Sequence, residues 1–314
     1  MPQAVPRAVR FFVSPPTASY TVQTLAIPAA PMEIPDEALA QFSLSVQQVA
    51  SLRSAAQAPC VPADWLVPRA WTGAAAVVIC GAGDTRRLFK WVLFEQLLTQ
   101  GIAVLTFDPP GHGEFQNVPM SVENARRAAR AVVDWLFNMA DARAVGAIGI
   151  SLGGNQALDA AAHDARIAAV VAISTPVVLQ PITRTLIARE VLRLFLPRTL
   201  ALLRYQSARA MFAEWRMARG IWSVVDLPRL VAQFHALACV RAIGTRPKLF
   251  VHGVCDAAVP PHNARKLYEA ALPERKLWWV RQGSHLNVVM LLPEMRALAT
   301  WMRMRLARAS NDAT

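Results

Sequence analysis

From residue 74 onward the chain alternates between two textures. Short runs that are apolar at nearly every position occupy 74–80, 102–107, 144–150, 167–174, 248–252 and 277–280. Between them the apolar residues recur at helical spacing. Examples are Leu88, Trp91, Phe94, Leu97 and Leu98 within 86–100, and Ala128, Val132, Leu136 and Met139 within 124–139. Further helices are predicted over 152–163 and 262–271, and a last one begins at Pro293 with Met295, Leu298, Trp301, Met302 and Leu306 on its stripe. Strands without polar alternation are buried on both faces, as in a parallel sheet covered by helices. Strand–helix alternation over this length predicts a doubly wound α/β domain.

Two stretches break the pattern. Ten of the 22 prolines fall before residue 69, so residues 1–73 are expected to be ordered but irregular. Strands are predicted there over 7–13 and 17–27, and a helix over 36–57. Residues 176–240 have helical propensity throughout and no strand run, and Pro197, Gly220 and Pro228 divide them. The predicted organisation is an N-terminal segment (1–73), a core in two pieces (74–175 and 241–309), a helical insertion (176–240) and a frayed tail (310–314).

Composition narrows the class. A chain of 314 residues with 54% hydrophobic residues cannot be disordered, and its length fits one large domain or a core with a cap. The four cysteines, Cys60, Cys80, Cys239 and Cys255, lie far apart without a CxxC pair, which excludes a disulfide scaffold or zinc ribbon and points to a reducing compartment. The longest uncharged run, 11–32, is broken by Pro15, Pro16, Pro28 and Pro31, so neither a spanning helix nor a signal peptide is predicted. The expected localisation is cytoplasmic, with at most peripheral membrane contact. The formal charge is +12, and half of that surplus arises in 176–240, where nine arginines face three acids. These arginines alternate with Leu, Phe, Trp and Met instead of clustering, and no nucleic-acid motif accompanies them, so nucleic acid is not an expected partner.

The chemistry-bearing segment is Gly149-Ile150-Ser151-Leu152-Gly153-Gly154, between a predicted strand and a predicted helix. G-x-S-x-G in that context is a nucleophile elbow, a turn so tight that both flanking positions are glycine. Ser151 then stands at a helix N-terminus, where free N–H groups favour developing negative charge. Such a serine needs a base and an orienting acid. His285, in Gln282-Gly283-Ser284-His285 after the last strand run, is the predicted base. Asp256, just past the strand run 248–252, is the predicted acid. His262 is the reserve base and Asp108 the reserve acid. The oxyanion donors expected from this design are the N–H of Leu152, which follows the nucleophile, and the N–H of Ala82 in Gly81-Ala82-Gly83. No HExxH, GxxxxGK[ST] or strand-to-helix GxGxxG occurs, so no metal or cofactor is expected.

From residue 74 to residue 301 the chain resembles the α/β-hydrolase superfamily, near the serine-hydrolase branch of esterases, monoglyceride-lipase-like and prolyl-peptidase-like enzymes. The residues that carry the likeness are Cys80-Gly81-Ala82-Gly83, Asp108-Pro109-Pro110-Gly111-His112-Gly113, the elbow, His252-Gly253 with Asp256 and Val259-Pro260, and Gly283-Ser284-His285. One departure is Cys80-Gly81 where many relatives have His-Gly. The resemblance implies an α/β-hydrolase fold: a mostly parallel eight-stranded sheet flanked by helices, with a helical cap after the sixth strand, where 176–240 falls. It implies hydrolysis of a carboxylic ester or thioester, and the Leu, Phe, Met and Trp of the cap suggest an apolar acyl part. The cap arginines suit docking of an acidic carrier (coenzyme A or acyl carrier protein) or contact with anionic lipid, the plain alternative being solvated side chains on exposed helix faces. The alternatives are a thioesterase or acyltransferase, a hydrolase of carbon–carbon bonds, and a non-catalytic ligand-binding protein that kept the fold.

Overall fold

The computed structural model describes residues 19–34, 36, 39, 45–179, 183–194 and 226–312. Eight strands form one sheet: β1 (Tyr20–Pro28), β2 (Cys60–Pro68), β3 (Ala74–Ile79), β4 (Ala103–Phe107), β5 (Ala144–Ile150), β6 (Ile167–Ile173), β7 (Lys248–Gly253) and β8 (Arg275–Val280). Their order across the sheet is β1-β2-β4-β3-β5-β6-β7-β8. Only the β1–β2 and β2–β4 pairs are antiparallel; every other neighbouring pair is parallel. Strand β2 was not anticipated, because Pro62 and Pro68 argue against a strand interior. The chain resolves the conflict by limiting the β2–β4 ladder to Ala63–Leu66, between the two prolines. The strand predicted over 7–13 lies outside the described residues.

The helices cover both faces of the sheet. All six residues of β3 are buried. Ala75, Val77 and Ile79 face one core, and Ala74, Ala76 and Val78 face the other. The first core is closed by α3 (Val122–Asn138), α4 (Leu152–His163), α7 (Ala236–Ala242) and α8 (His262–Ala270), and reaches Ala56 of α1 (Val46–Gln57). The second is closed by α2 (Trp91–Thr99) and α9 (Leu292–Asp312). This double coverage is the physical meaning of the uninterrupted apolar runs.

Three helices differ from expectation at their ends. The helix expected over 36–57 is capped by Ser45 and starts as α1 at Val46. The helix predicted from residue 86 starts only at Trp91, because Arg86 and Lys90 are recruited into a buried polar turn and Phe89 adopts φ 62°. Helix α9 runs past residue 309 to Asp312, with the Ser310 hydroxyl donating to the Leu306 carbonyl at 3.1 Å. Between β6 and β7 the chain forms α5 (Arg184–Leu194) and α6 (Leu227–Gln233) before α7; residues 180–182 and 195–225 lie outside the described residues. No helix among the described residues is long and apolar enough to cross a membrane.

The turn between β3 and α2 is held by charges. The Arg86 guanidinium donates to Asp64 on β2 at 3.2 Å, to Asp108 after β4, and to Glu114 at 2.9 Å. Arg87 donates to Asp64 at 2.6 Å and 2.9 Å. Lys90, fully buried, donates at 2.6 Å to the Asp84 carboxylate and to the Thr85 and Leu88 carbonyls. Glycine is required at position 113, where φ is 47° and a Cβ would stand 2.4 Å from the Asp108 carboxyl carbon. Arg86→Ala would leave Asp108 buried without its counter-charge and take from Asp64 one of its two guanidinium partners, Arg87 remaining. A destabilisation of about 3–5 kcal/mol is expected by urea unfolding. A change below about 1 kcal/mol would show that the network does not brace this turn.

Candidate active site

Ser151 follows β5 directly and occupies φ 54°, ψ −119°, a backbone region that non-glycine residues rarely adopt. The strain is fixed by close packing on both sides. A Cβ on Gly149 would lie 2.0 Å from the Gly153 carbonyl oxygen, and one on Gly153 would lie 2.3 Å from that of Ile79. The Ser151 N–H donates to the Ile173 carbonyl at 2.8 Å, tying the turn to β6. Leu152 is the first residue of α4, so its N–H has no intrahelical acceptor and lies at the positive end of the helix.

The turn after β3 lies against this elbow. A Cβ on Gly81 would stand 3.1 Å from that of Ser151, so glycine permits the approach. Ala82 packs on a small apolar cluster that contains Leu152, Ala125, Leu230, Val231 and Phe234. The two residues expected to supply oxyanion donors thus border one apolar cluster.

His285 and Asp256 arrive on loops at the carboxyl ends of β8 and β7. The two loops touch: a Cβ on Gly253 would meet the Gly283 carbonyl oxygen at 2.3 Å, and the Cys255 N–H donates to that same carbonyl at 2.9 Å. Asn287 steadies the histidine loop by accepting the Ser284 N–H at 2.7 Å. The outcome is a continuous chain of hydrogen bonds. His285 Nε2 lies 3.0 Å from Ser151 Oγ, and His285 Nδ1 lies 2.9 Å from Asp256 Oδ2. The other oxygen, Asp256 Oδ1, accepts the N–H groups of Ala258 at 3.1 Å and Val259 at 2.7 Å. A carboxylate only accepts, so Nδ1 carries the proton and Nε2 presents its lone pair to the serine.

The reserve candidates stand elsewhere. Asp108 belongs to the arginine network, and His262 begins α8 beside Asn263. Two neighbours of the site were missed. His252, buried at the end of β7, sits 3.5 Å from Asp256 Oδ2 and bonds the Val259 carbonyl at 2.8 Å. Glu190 on α5 accepts the N–H of Ala257 at 2.9 Å and of Leu286 at 3.3 Å. The histidine is visible in the sequence as part of His252-Gly253, but the glutamate has no local signal and is reached only through the fold. Among the described residues no group of three or more His, Cys, Asp or Glu is placed to hold a metal ion.

Burial pushes the Asp256 carboxyl up, but the His285 imidazole, His252 and the Val259 N–H outweigh it and hold it below the usual carboxylate range. Burial pushes the His285 imidazole down; the Asp256 carboxylate, by charge and by hydrogen bond, together with Glu190, overrides this and raises it above the ordinary histidine value of 6.5. A base must be neutral to accept a proton, so activity is expected to appear as pH rises through this elevated value. The acid limb of kcat/KM should therefore have its midpoint above 6.5. A midpoint below that, in a pH–rate profile of the free enzyme, would contradict the electrostatic account.

A mostly parallel sheet that presents a strained serine, a carboxylate and an imidazole beyond the carboxyl ends of β5, β7 and β8 defines an α/β-hydrolase architecture. The chain belongs to the alpha/beta hydrolase family, whose model matches residues 76–300. It is 35% identical over 96 residues to 2,6-dihydropseudooxynicotine hydrolase of Paenarthrobacter nicotinovorans, a match covering 30% of this chain and 26% of that protein. Its fold is similar to the esterase domain of a Rhodothermus marinus protein, with TM-score 0.56 and 20% identity over 91% of this chain and 100% of that one. It is also similar to a monoacylglycerol lipase of Paleococcus ferrophilus, with TM-score 0.54 and 20% identity over 74% of this chain and 94% of that one.

Proposed function

We propose that this protein is a serine hydrolase that cleaves a carboxylic ester or thioester with an apolar acyl part through an acyl-enzyme. The observation that carries this reading is the unbroken relay from Ser151 through His285 to Asp256. Ser151 Oγ attacks the substrate carbonyl while His285 Nε2 takes its proton, and Asp256 holds the resulting imidazolium by charge and orientation. The N–H groups of Leu152 and Ala82 receive the developing oxyanion, a contribution worth about 10²–10³ in rate per donor. Collapse expels the alcohol or thiol, protonated by His285. Water, activated by the same imidazole, then releases the acid and restores the serine. The esterase and lipase activities named for the structural relatives agree with this chemistry.

The apolar preference is supported by the cluster beside the elbow. Leu230, Val231 and Phe234 pack there with Leu152, and Met120, Val122, Leu179 and Leu227 adjoin them. The insertion between β6 and α7 acts in this reading as the cap over the site, whereas α7, which falls partly within the expected span 176–240, belongs to the first core. A carrier-bound acyl group is the second reading, favoured by the exposed side chains of Arg184, Arg189 and Arg229. The four free cysteines suit a cytoplasmic setting.

The test is hydrolysis of p-nitrophenyl esters of increasing acyl length, run against the matching acyl-coenzyme A thioesters, with Ser151→Ala as the blank. Each methylene that enters the apolar wall should raise kcat/KM by up to about fourfold until the wall is filled. Rates on the thioesters that fall with salt would favour the carrier reading. Equal turnover by the blank would overturn the proposal.

A further inference from the structure

The carboxylate of Glu190 occupies an unusual place. It is carried on α5, between β6 and β7, far in sequence from either triad loop, yet its residue is only 3% exposed. Its two oxygens divide between the two loops. Oε1 accepts from Ala257, the residue after Asp256, and Oε2 accepts from Leu286, the residue after His285. A buried carboxylate is costly unless its oxygens are satisfied by donors, and here both donors are backbone groups next to triad members. Anchoring a helix would need no such coincidence. Charge-assisted bonds of this kind are stronger than neutral ones, and displacing a catalytic group by about 1 Å can cost on the order of 100-fold in rate.

Resting on the serine-hydrolase reading above, we propose that Glu190 is a positioning residue for the triad, its carboxylate clasping the Asp256 and His285 loops from α5, so that the reacting geometry is complete only with this helix in place. The groups facing His285 are Ser151 from the elbow, Asp256 and its neighbour His252 from the end of β7, and Glu190 from α5; His262 at the start of α8 acts one step further out, on His252. Glu190 is therefore the second negative charge near the imidazole. Removing it makes the imidazolium less favourable, so the neutral, reactive base persists to lower pH. The clasp and the charge give two separable signatures: slower reaction when the loops are released, and a displaced acid limb when the charge is lost.

The experiment measures the second-order rate of labelling by a fluorophosphonate across pH, per folded molecule as judged by near-ultraviolet circular dichroism, in wild type, Glu190→Gln, Glu190→Asp, Glu190→Ala and Ser151→Ala. Glu190→Gln keeps the size but can offer only one acceptor, and its amide N–H₂ opposes the other backbone N–H. It should label about tenfold more slowly, with its acid limb at lower pH. Glu190→Asp keeps the charge and loses reach, so its rate should fall while its limb stays close to that of wild type. Glu190→Ala should lose both, by about 100-fold in rate. Lowered thermal stability with an unchanged rate and limb per folded molecule would overturn the proposal, leaving Glu190 a helix anchor only. A labelled wild type with indifferent Gln and Asp variants would overturn it alone. A wild type that takes no label, or a Ser151→Ala protein that does, would overturn the serine-hydrolase reading and this proposal with it.

Discussion

Ser151→Ala is expected to lower ester hydrolysis by about 10⁴–10⁶ while leaving the fold intact. The side chain of Ser151 is only partly buried and no helix cap depends on it. Alanine accepts the same strained turn at little additional cost, because the strain belongs to the backbone between Gly149 and Gly153. Substrate binding and the donors at Leu152 and Ala82 would survive, so residual catalysis over water of about 10³–10⁴ is expected. The measurements are turnover of an activated ester and fluorophosphonate labelling. A variant that kept more than about one hundredth of wild-type activity would show that another group is the nucleophile.

Asp256→Asn should cost about 10⁴ in kcat, the magnitude that follows neutralisation of the orienting carboxylate in such a triad. The reason lies in how the two carboxyl oxygens are used. One already accepts two backbone N–H groups, from Ala258 and Val259, so an asparagine must keep its oxygen there. Its N–H₂ then faces His285 Nδ1, which has to accept instead of donate. The ring proton moves to Nε2 and points at Ser151, where a lone pair is required. The imidazole would remain within reach of the serine in the wrong tautomer. Activity within tenfold of wild type would contradict this arrangement, as would full loss accompanied by unfolding.

The core strands and the residues that form the hydrogen-bonded chain Ser151–His285–Asp256 were legible in the sequence because each has a local cause. Continuous apolar runs report burial on both faces, and the glycines around Ser151 report a turn with no room for side chains. Asp256 and His285 were legible because their loops follow recognisable strand runs on one edge of the sheet. Strand β2 was hidden because its two prolines are local evidence against a strand, while what stabilises it is pairing with β1 and β4, distant in sequence. The same holds for Arg86 and Lys90. Their spacing suits a helix, but Asp64, Asp108 and Asp84 draw them into a buried turn. Glu190 lay among nine arginines as one acid of three, and only the tertiary fold shows which donors it meets.

Strand β2 also bears on where this polypeptide can be cut. The family-matched span opens at residue 76, after β2 has ended, and closes at residue 300, halfway along α9. A recombinant fragment trimmed to those limits would expose the β4 edge to pairing with other chains. It would strip Asp64 from Arg86 and Arg87, and remove Trp301, Met302 and Leu306 from the second core. The autonomous unit is therefore larger than the span that the family model matches, and expression boundaries should begin ahead of β1 and end beyond α9.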